Sequence, residues 1–214
     1  MKGLLLKDWY MFVKEVKFYV PFTALYALVA AYTGMPMFFV MINVMLGSMI
    51  VKSLMAREEQ NKWDSMVVNL PVTVKELVTE KYLIGMIGTL VPNIVSFLAL
   101  LFTKIFLQRN MDIPLVPFFL IYVGFGALYL AGELPVLFKF GTTNGRMVFL
   151  AVIVLLAGVS ATVSGVLLEN VQGIEPVLQS GSLFAIAIAV VIAAVLAVAG
   201  SIRLSVAFYK KREF

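Results

Sequence analysis

FYVPFTALYALVAAYTGMPMFFVMINVMLGSMIV, residues 18–51, contains no Asp, Glu, Lys or Arg. A helix needs about 20 apolar residues to cross a bilayer core. At 34 residues, this stretch is long for one crossing and accommodates two if flanking residues contribute. Gly34-Met35-Pro36 near its middle joins a permissive backbone position to a residue suited to a helix start. It reads as a tight turn between two helices. The alternative is one long buried helix with a re-entrant segment. Further uncharged runs lie at 83–103, 113–132, 147–168 and 176–202, each reaching roughly one crossing in length.

Composition supports the same class. The chain is 62% hydrophobic and 14% charged over 214 residues, which leaves too little polar surface for a soluble domain of that size. It has no Cys and no His. That excludes a disulfide framework, thiolate or imidazole metal sites, and Cys–His or Ser–His–Asp catalytic arrangements. The basic residues extend to Lys17, and the apolar region after them continues without a small-residue cleavage site, so the N-terminus does not read as a cleavable signal.

The spans fall near 18–33, 37–55, 82–107, 114–137, 147–168 and 181–202. With both termini inside, fifteen of the 17 Lys and Arg lie in cytoplasmic segments, and Lys104 and Arg109 lie opposite. This is the positive-inside pattern. It accounts for the net charge of +5 without a nucleic-acid partner and suits contact with anionic lipid headgroups. The expectation is an all-α integral membrane protein with six transmembrane helices over 18–202. An interfacial amphipathic helix occupies 1–17, a cytosolic connector 56–81, and a basic cytosolic tail 203–214. In the first of these, Leu5, Trp9, Phe12, Val13 and Val16 share one side of a helix, opposite Lys7, Lys14, Glu15 and Lys17. The apolar side would lie in lipid; the alternative is a cytosolic extension of the first span.

The connector carries the main functional signal: AREEQNKWDS at 56–65 and NLPVTVKELVTEKY at 69–82. Pro71 disfavours helix at Leu70. Thr73 is placed to cap a new helix, with Glu76 reaching back to the Thr73 N–H and Val72 and Leu77 forming a hydrophobic staple. A charged segment, a proline stop and a restarted helix together suit a groove in a soluble partner. The alternative is a passive solvated face, with Glu58 and Glu59 among Arg57, Lys62 and headgroups.

Within the spans, Glu133 lies near the cytosolic end of span four, ahead of Pro135 and Lys139. An ionisable group at membrane depth suggests a gate or vestibule; anchoring at the interface, or pairing with Lys139, is the competing explanation. Asn43 and Asn93 need partners in a low-dielectric setting, through helix packing or along a polar path. There is no Gly-x-x-x-x-Gly-Lys-Ser/Thr phosphate-binding loop, so the chain is not expected to hydrolyse ATP alone.

At Arg57-Glu58-Glu59 and Leu70-Pro71-Val72-Thr73-Val74-Lys75-Glu76, the chain resembles the permease subunits of ABC-2 type transporters. The likeness is to short six-span bacterial permeases encoded separately from their ATPase, and it covers nearly the full chain. It implies a coupling helix over 56–64 that docks on an ATP-binding subunit, with 71–82 as a second surface. Arg57, Glu58, Glu59, Trp63, Val74, Leu77 and Val78 are then the coupling residues, with Pro71, Thr73 and Glu76 as the cap of that segment.

Glu133, Lys139, Asn43 and Asn93 become candidates for a gate or vestibule. The resemblance also implies two ATPase chains carrying ATP and Mg, and a second permease, identical or homologous. This chain itself would bind no cofactor or metal. Export of an amphipathic or hydrophobic substrate, a peptide first, across the bacterial plasma membrane follows by the same resemblance. The chain departs from many exporters in lacking a large external domain. The competing function is a non-transporting membrane scaffold or regulatory subunit that binds a cytosolic partner through 56–81. A membrane-embedded enzyme is disfavoured, since no histidine cluster or pair of midplane carboxylates emerges.

Overall fold

The computed structural model describes residues 2–33, 36–67, 71–106, 114–168 and 180–211, and within them excludes the side chains of 2, 27, 30–33, 36–46, 64–65, 103, 106, 155–168 and 180–182. The described residues are helical with short turns: α1 (Lys2–Thr33), α2 (Pro36–Gln60), α3 (Trp63–Val67), α4 (Val74–Phe106), α5 (Leu115–Leu168) and α6 (Ser180–Lys210). Three stretches among them are long and apolar enough to cross a membrane: Val74–Phe102, Leu115–Val154 and Leu183–Lys210. The expected turn at Gly34-Met35 lies outside the described residues. Helix ends before it at Thr33 and resumes after it at Pro36, a residue suited to the first helical position.

Helix α1 runs through Lys17 and Phe18 without a break, as an extension of the apolar segment rather than a separate element. Its inward face also differs from the expected one. Leu4, Asp8, Phe12 and Glu15 are buried, whereas Trp9 and Tyr10 are exposed. Phe12 therefore packs in the protein core, not in lipid. The reason is the spacing of Asp8 and Glu15, which share a helix face with Leu4 and Phe12 and must meet partners on neighbouring helices.

In α5 the helix breaks at Gly141 (φ 79°, ψ 177°), a conformation that glycine adopts without a Cβ clash. Arms 115–140 and 142–168 fold back on each other. A Cβ on Gly145 would stand 3.1 Å from Leu137 Cα, and Tyr129 and Phe149 meet edge to face at 5.2 Å. The loop expected between 137 and 147 thus shrinks to a turn at one glycine.

Helices α1, α2 and α4 pack as one group and α5 with α6 as another, around Phe12, Ile50, Leu54, Val78, Ile84, Leu130 and Leu134. Prolines inside helices shape the crossings. Pro92 has no N–H for the Gly88 carbonyl one turn earlier. That carbonyl lies against α2, where a Cβ on Gly47 would stand 2.6 Å from it and 2.8 Å from Thr89 Cα. Pro135 likewise leaves the Ala131 carbonyl without its helix donor, and Ser201 Oγ of α6 donates to it at 2.6 Å.

Gly47→Ala is expected to cost about 1–3 kcal/mol through overpacking, seen as a lower unfolding midpoint in detergent. Gly200→Ala, which meets no atom within 4 Å, should leave the midpoint unchanged or raise it. Equal midpoints for Gly47→Ala and the native chain would contradict the close α2–α4 crossing.

Candidate functional site

Charged residues brought together by α1, α2 and α4 build the site. Lys81 Nζ of α4 donates to Asp8 Oδ2 of α1 and, at 2.7 Å, to Glu58 Oε1 of α2. Lys7 Nζ donates to the same Glu58 oxygen and lies 3.2 Å from Asp8 Oδ1. Asp8 and Lys81 are almost wholly removed from water, at 0% and 5% exposure. Each therefore requires the opposite charge beside it. A second pair flanks the first: the Arg57 guanidinium and Ser53 Oγ both donate to Glu15 Oε1, the latter at 3.1 Å. Glu80 is also buried, and neither of its carboxyl oxygens has a hydrogen-bond partner among the described residues.

The chain leaves α2 by a short, well-bonded turn. Asn61 N donates to Arg57 O at 3.0 Å and Lys62 N to Glu59 O at 3.2 Å. Lys62 takes a positive φ of 50°, which ends the helix. The reversal brings Trp63 under Lys7, whose Nζ lies 3.9 Å from the ring centroid. Residues 68–70 lie outside the described residues. At the start of α4, Thr73 N donates to Glu76 Oε2 at 2.9 Å while Glu76 N donates to Thr73 Oγ1 at 3.3 Å. These are the reciprocal bonds of a capping box. Leu77 is buried, with Val72 packed against the same core.

Further polar contacts link this group to α5 and α6. Glu59 Oε2 accepts from Thr142 N at 2.9 Å and from Thr142 Oγ1. A carboxylate on α2 thereby serves the free N–H at the start of the second α5 arm, where a negative charge is favoured. Lys52 Nζ of α2 lies 2.5 Å from Glu133 Oε1 of α5 and donates to Tyr129 OH at 3.5 Å. Tyr82 OH of α4 bonds to Ser201 and, at 2.8 Å, to Ser205 of α6. A small cleft opens between Glu58, Glu59, Trp63 and Lys81 on one side and Leu137, Phe138, Thr142 and Tyr209 on the other.

The coupling residues expected from the sequence thus occupy several settings. Glu58 and Glu59 turn into the protein, toward Lys7 and Lys81 and toward Thr142 respectively. Arg57 remains half exposed beside Glu15. Trp63 lines the cleft, Leu77 and Val78 enter the core, and Val74 is half-buried against it. Pro71 is exposed ahead of the cap.

Among the gate candidates, Glu133 pairs with Lys52 and not with Lys139. Six helical residues separate Glu133 and Lys139 by about 240° around the axis, so the two side chains diverge. Lys139 Nζ instead lies 4.9 Å from the Phe140 ring and 5.2 Å from that of Phe208. Asn93 Nδ2 donates to Thr89 O at 2.8 Å within its own helix. The Asn43 side chain lies outside the described residues. Asp8, Lys81, Lys52, Thr142 and Tyr82 were not anticipated as site residues. The i, i+4, i+8 and i+11 placement of Leu4, Asp8, Phe12 and Glu15 was the available signal for the first of these.

The combination of apolar crossing helices with a buried charged cluster at the connector defines a helical membrane protein built around an internal electrostatic joint. A family profile described as ABC-2 family transporter protein matches residues 3–210, and the chain belongs to that family. It is accordingly a membrane component of an ABC transporter, not catalytic alone, in a class that associates with ABC ATPase components. No curated protein and no solved structure matches the chain.

Replacing Lys81 with Met should destabilise the fold by about 3–5 kcal/mol, because it leaves buried carboxylates without their cation. Lys75→Ala, at an exposed position, should fall within about 0.5 kcal/mol of the native chain. Thermal unfolding of the two variants in one detergent makes the comparison, and similar midpoints would refute a structural role for the cluster.

Proposed function

We propose that this chain is the permease subunit of an ATP-driven exporter, coupled through residues 56–81 to a separate ATPase. The observation that carries the reading is the unbroken series of polar contacts leading away from the connector. Glu58 joins α2 to α1 and α4, and the next residue, Glu59, joins α2 to α5. A displacement applied to the end of α2 or to α3 would therefore be felt by every helix group in the chain.

On this reading α1, α2, α4, the two α5 arms and α6 make six crossings, with both termini on the cytoplasmic side of a bacterial plasma membrane. Two such permeases, identical or homologous, would pair with two ATPase subunits holding ATP and Mg. ATP-driven closure of the ATPase pair moves Trp63 and the end of α2 carrying Arg57, Glu58 and Glu59. It also moves the capped start of α4 at Pro71, Thr73 and Glu76 with Val74, Leu77 and Val78. The ATP-bound partner must bind one permease arrangement better than the other, since a partner indifferent to the two would shift nothing.

Glu133, with Asn93 and Asn43 deeper in the helices and Lys139 at their end, belongs to the candidate vestibule. The substrate class is amphipathic or hydrophobic, a peptide first, in keeping with the family resemblance of the connector.

The double variant Glu58→Gln/Glu59→Gln, at membrane expression equal to the native chain, should lose most substrate-stimulated ATPase activity and peptide export from vesicles. Unchanged activity would remove the coupling assignment. Gentle extraction should also recover Walker-motif ATPase subunits with the native chain; recovery of a cytosolic partner lacking that motif would favour a scaffold instead.

A further inference from the structure

We infer that the outward face of α6 around Arg203 binds an anionic phospholipid, with the lipid phosphate on Arg203 and an acyl chain along Ile192 and Leu196. The site rests on α6 crossing the membrane and not on the permease reading above.

At about 100° per residue, Ile192, Leu196, Gly200, Arg203, Ala207 and Lys210 share one arc of about 80°. All six are exposed. On the opposite side Ala187, Ala194, Ser201 and Ser205 are buried, the two serines against Tyr82 of α4. The exposed stripe therefore faces away from the chain's own helices.

Arg203 stands seven residues before Lys210, about 10 Å along the axis. Lys210 is the last residue of the apolar stretch Leu183–Lys210. With Lys210 in water, the Arg203 guanidinium lies at headgroup depth, where a cation needs an opposite charge. Other helices supply one inside the chain: Lys7, Lys52, Arg57 and Lys81 each meet a carboxylate. Helix α6 contains no Asp or Glu. Among the described residues neither Arg203 nor Lys210 is paired with a carboxylate. A guanidinium fork matches phosphate oxygens in a bidentate pair, and Lys210 adds a second positive charge nearer the surface.

The helix also leaves room beside that charge. A Cβ on Gly200, one turn before Arg203, would meet nothing within 4 Å. Glycine weakens a helix interior, and no contact within the chain uses its missing side chain. Ala199 and Ala207, exposed on the neighbouring turns, keep the surroundings low as well. A headgroup can thus approach the backbone next to Arg203. Two to three turns deeper, Leu196 and Ile192 are 68% and 55% exposed and offer apolar surface to the acyl chain.

A second copy of the chain fits this face poorly. Copies related by a two-fold axis along the membrane normal bring each residue near its own counterpart. Arg203 and Lys210 would then meet the same cations, with no carboxylate on either α6 to offset them. An anionic lipid removes that conflict.

Native mass spectrometry of the full chain in detergent, titrated with phosphatidylglycerol or phosphatidylcholine of identical acyl chains, tests the site. One phosphatidylglycerol should bind the native chain at least about tenfold more tightly than phosphatidylcholine. Arg203→Gln and Lys210→Gln should each weaken phosphatidylglycerol about fivefold and leave phosphatidylcholine unchanged. Gly200→Leu, which keeps every charge but fills the notch, should weaken it too. Arg146→Gln, at an exposed position outside α6, should not.

Equal affinity for the two lipids, or equal losses in Arg203→Gln and Arg146→Gln, would overturn the site. Native binding by Gly200→Leu would reduce it to diffuse surface attraction and overturn it equally. A two-chain species that Gly200→Leu separates, with no phosphatidylglycerol bound in either state, would assign the face to a second copy instead.

Discussion

Lys81 sits almost wholly out of water between Asp8 of α1 and Glu58 of α2, and the placement of these helices follows from that contact. An ammonium in such a position is tolerable only with its carboxylates in place. Sliding any one of the helices by a residue would turn its charge away from the others, since neighbouring helical residues lie about 100° apart. An apolar replacement of similar volume could hold the helices together as well, yet it would accept several registers. The ionic joint accepts far fewer. Lys7 shares Glu58 with Lys81 and also covers Trp63, so α3 is drawn to the same point.

From this joint the rest of the structure is reached through groups that helices ordinarily keep to themselves. Proline supplies two of them. The Gly88 carbonyl, released by Pro92, lies at the crossing with Gly47, and the Ala131 carbonyl, released by Pro135, accepts Ser201 Oγ. Glycine supplies a third by breaking α5 at Gly141, which frees the Thr142 N–H for Glu59. In each case a residue that weakens one helix creates the contact that positions another. These polar contacts surround an apolar core that all the groups share, in which Leu54, Val78 and Ile84 belong to the same buried cluster as Leu130 and Leu134.

Much of the architecture was legible in the sequence because it depends on local rules. Uncharged runs marked the apolar helices, and the Thr73–Glu76 spacing contained its own capping bonds. The burial of Glu15 and Phe12 was not legible in the same way. On α1 alone, Glu15 belongs to a polar arc and Phe12 to an apolar one; α2 then provides Arg57 and Ser53, 42 and 38 residues later in the chain. The partner of Glu133 was hidden for a similar reason. Lys139 is near in sequence but on another side of the helix, whereas Lys52 arrives 81 positions away in sequence through the packing of α2 on α5. Residue type announced that these groups needed partners. Sequence distance concealed which ones they had.

The inward turn of Glu58 and Glu59 also changes what a charged connector can do. Had both carboxylates been solvated, a partner could have gripped them while the helices behind remained free to relax, and much of an applied displacement would have been lost in side-chain motion. Here their free ends are already held by Lys7, Lys81 and Thr142. A partner that contacts the half-exposed Arg57 or the region of Trp63 would therefore act on a segment fixed at both sides. The same acidic residues that look like handles in the sequence behave, in the fold, as the attachments of a handle. Transmission then depends on the backbone of α2 moving as a unit, and the buried ion pairs make that the lowest-cost response.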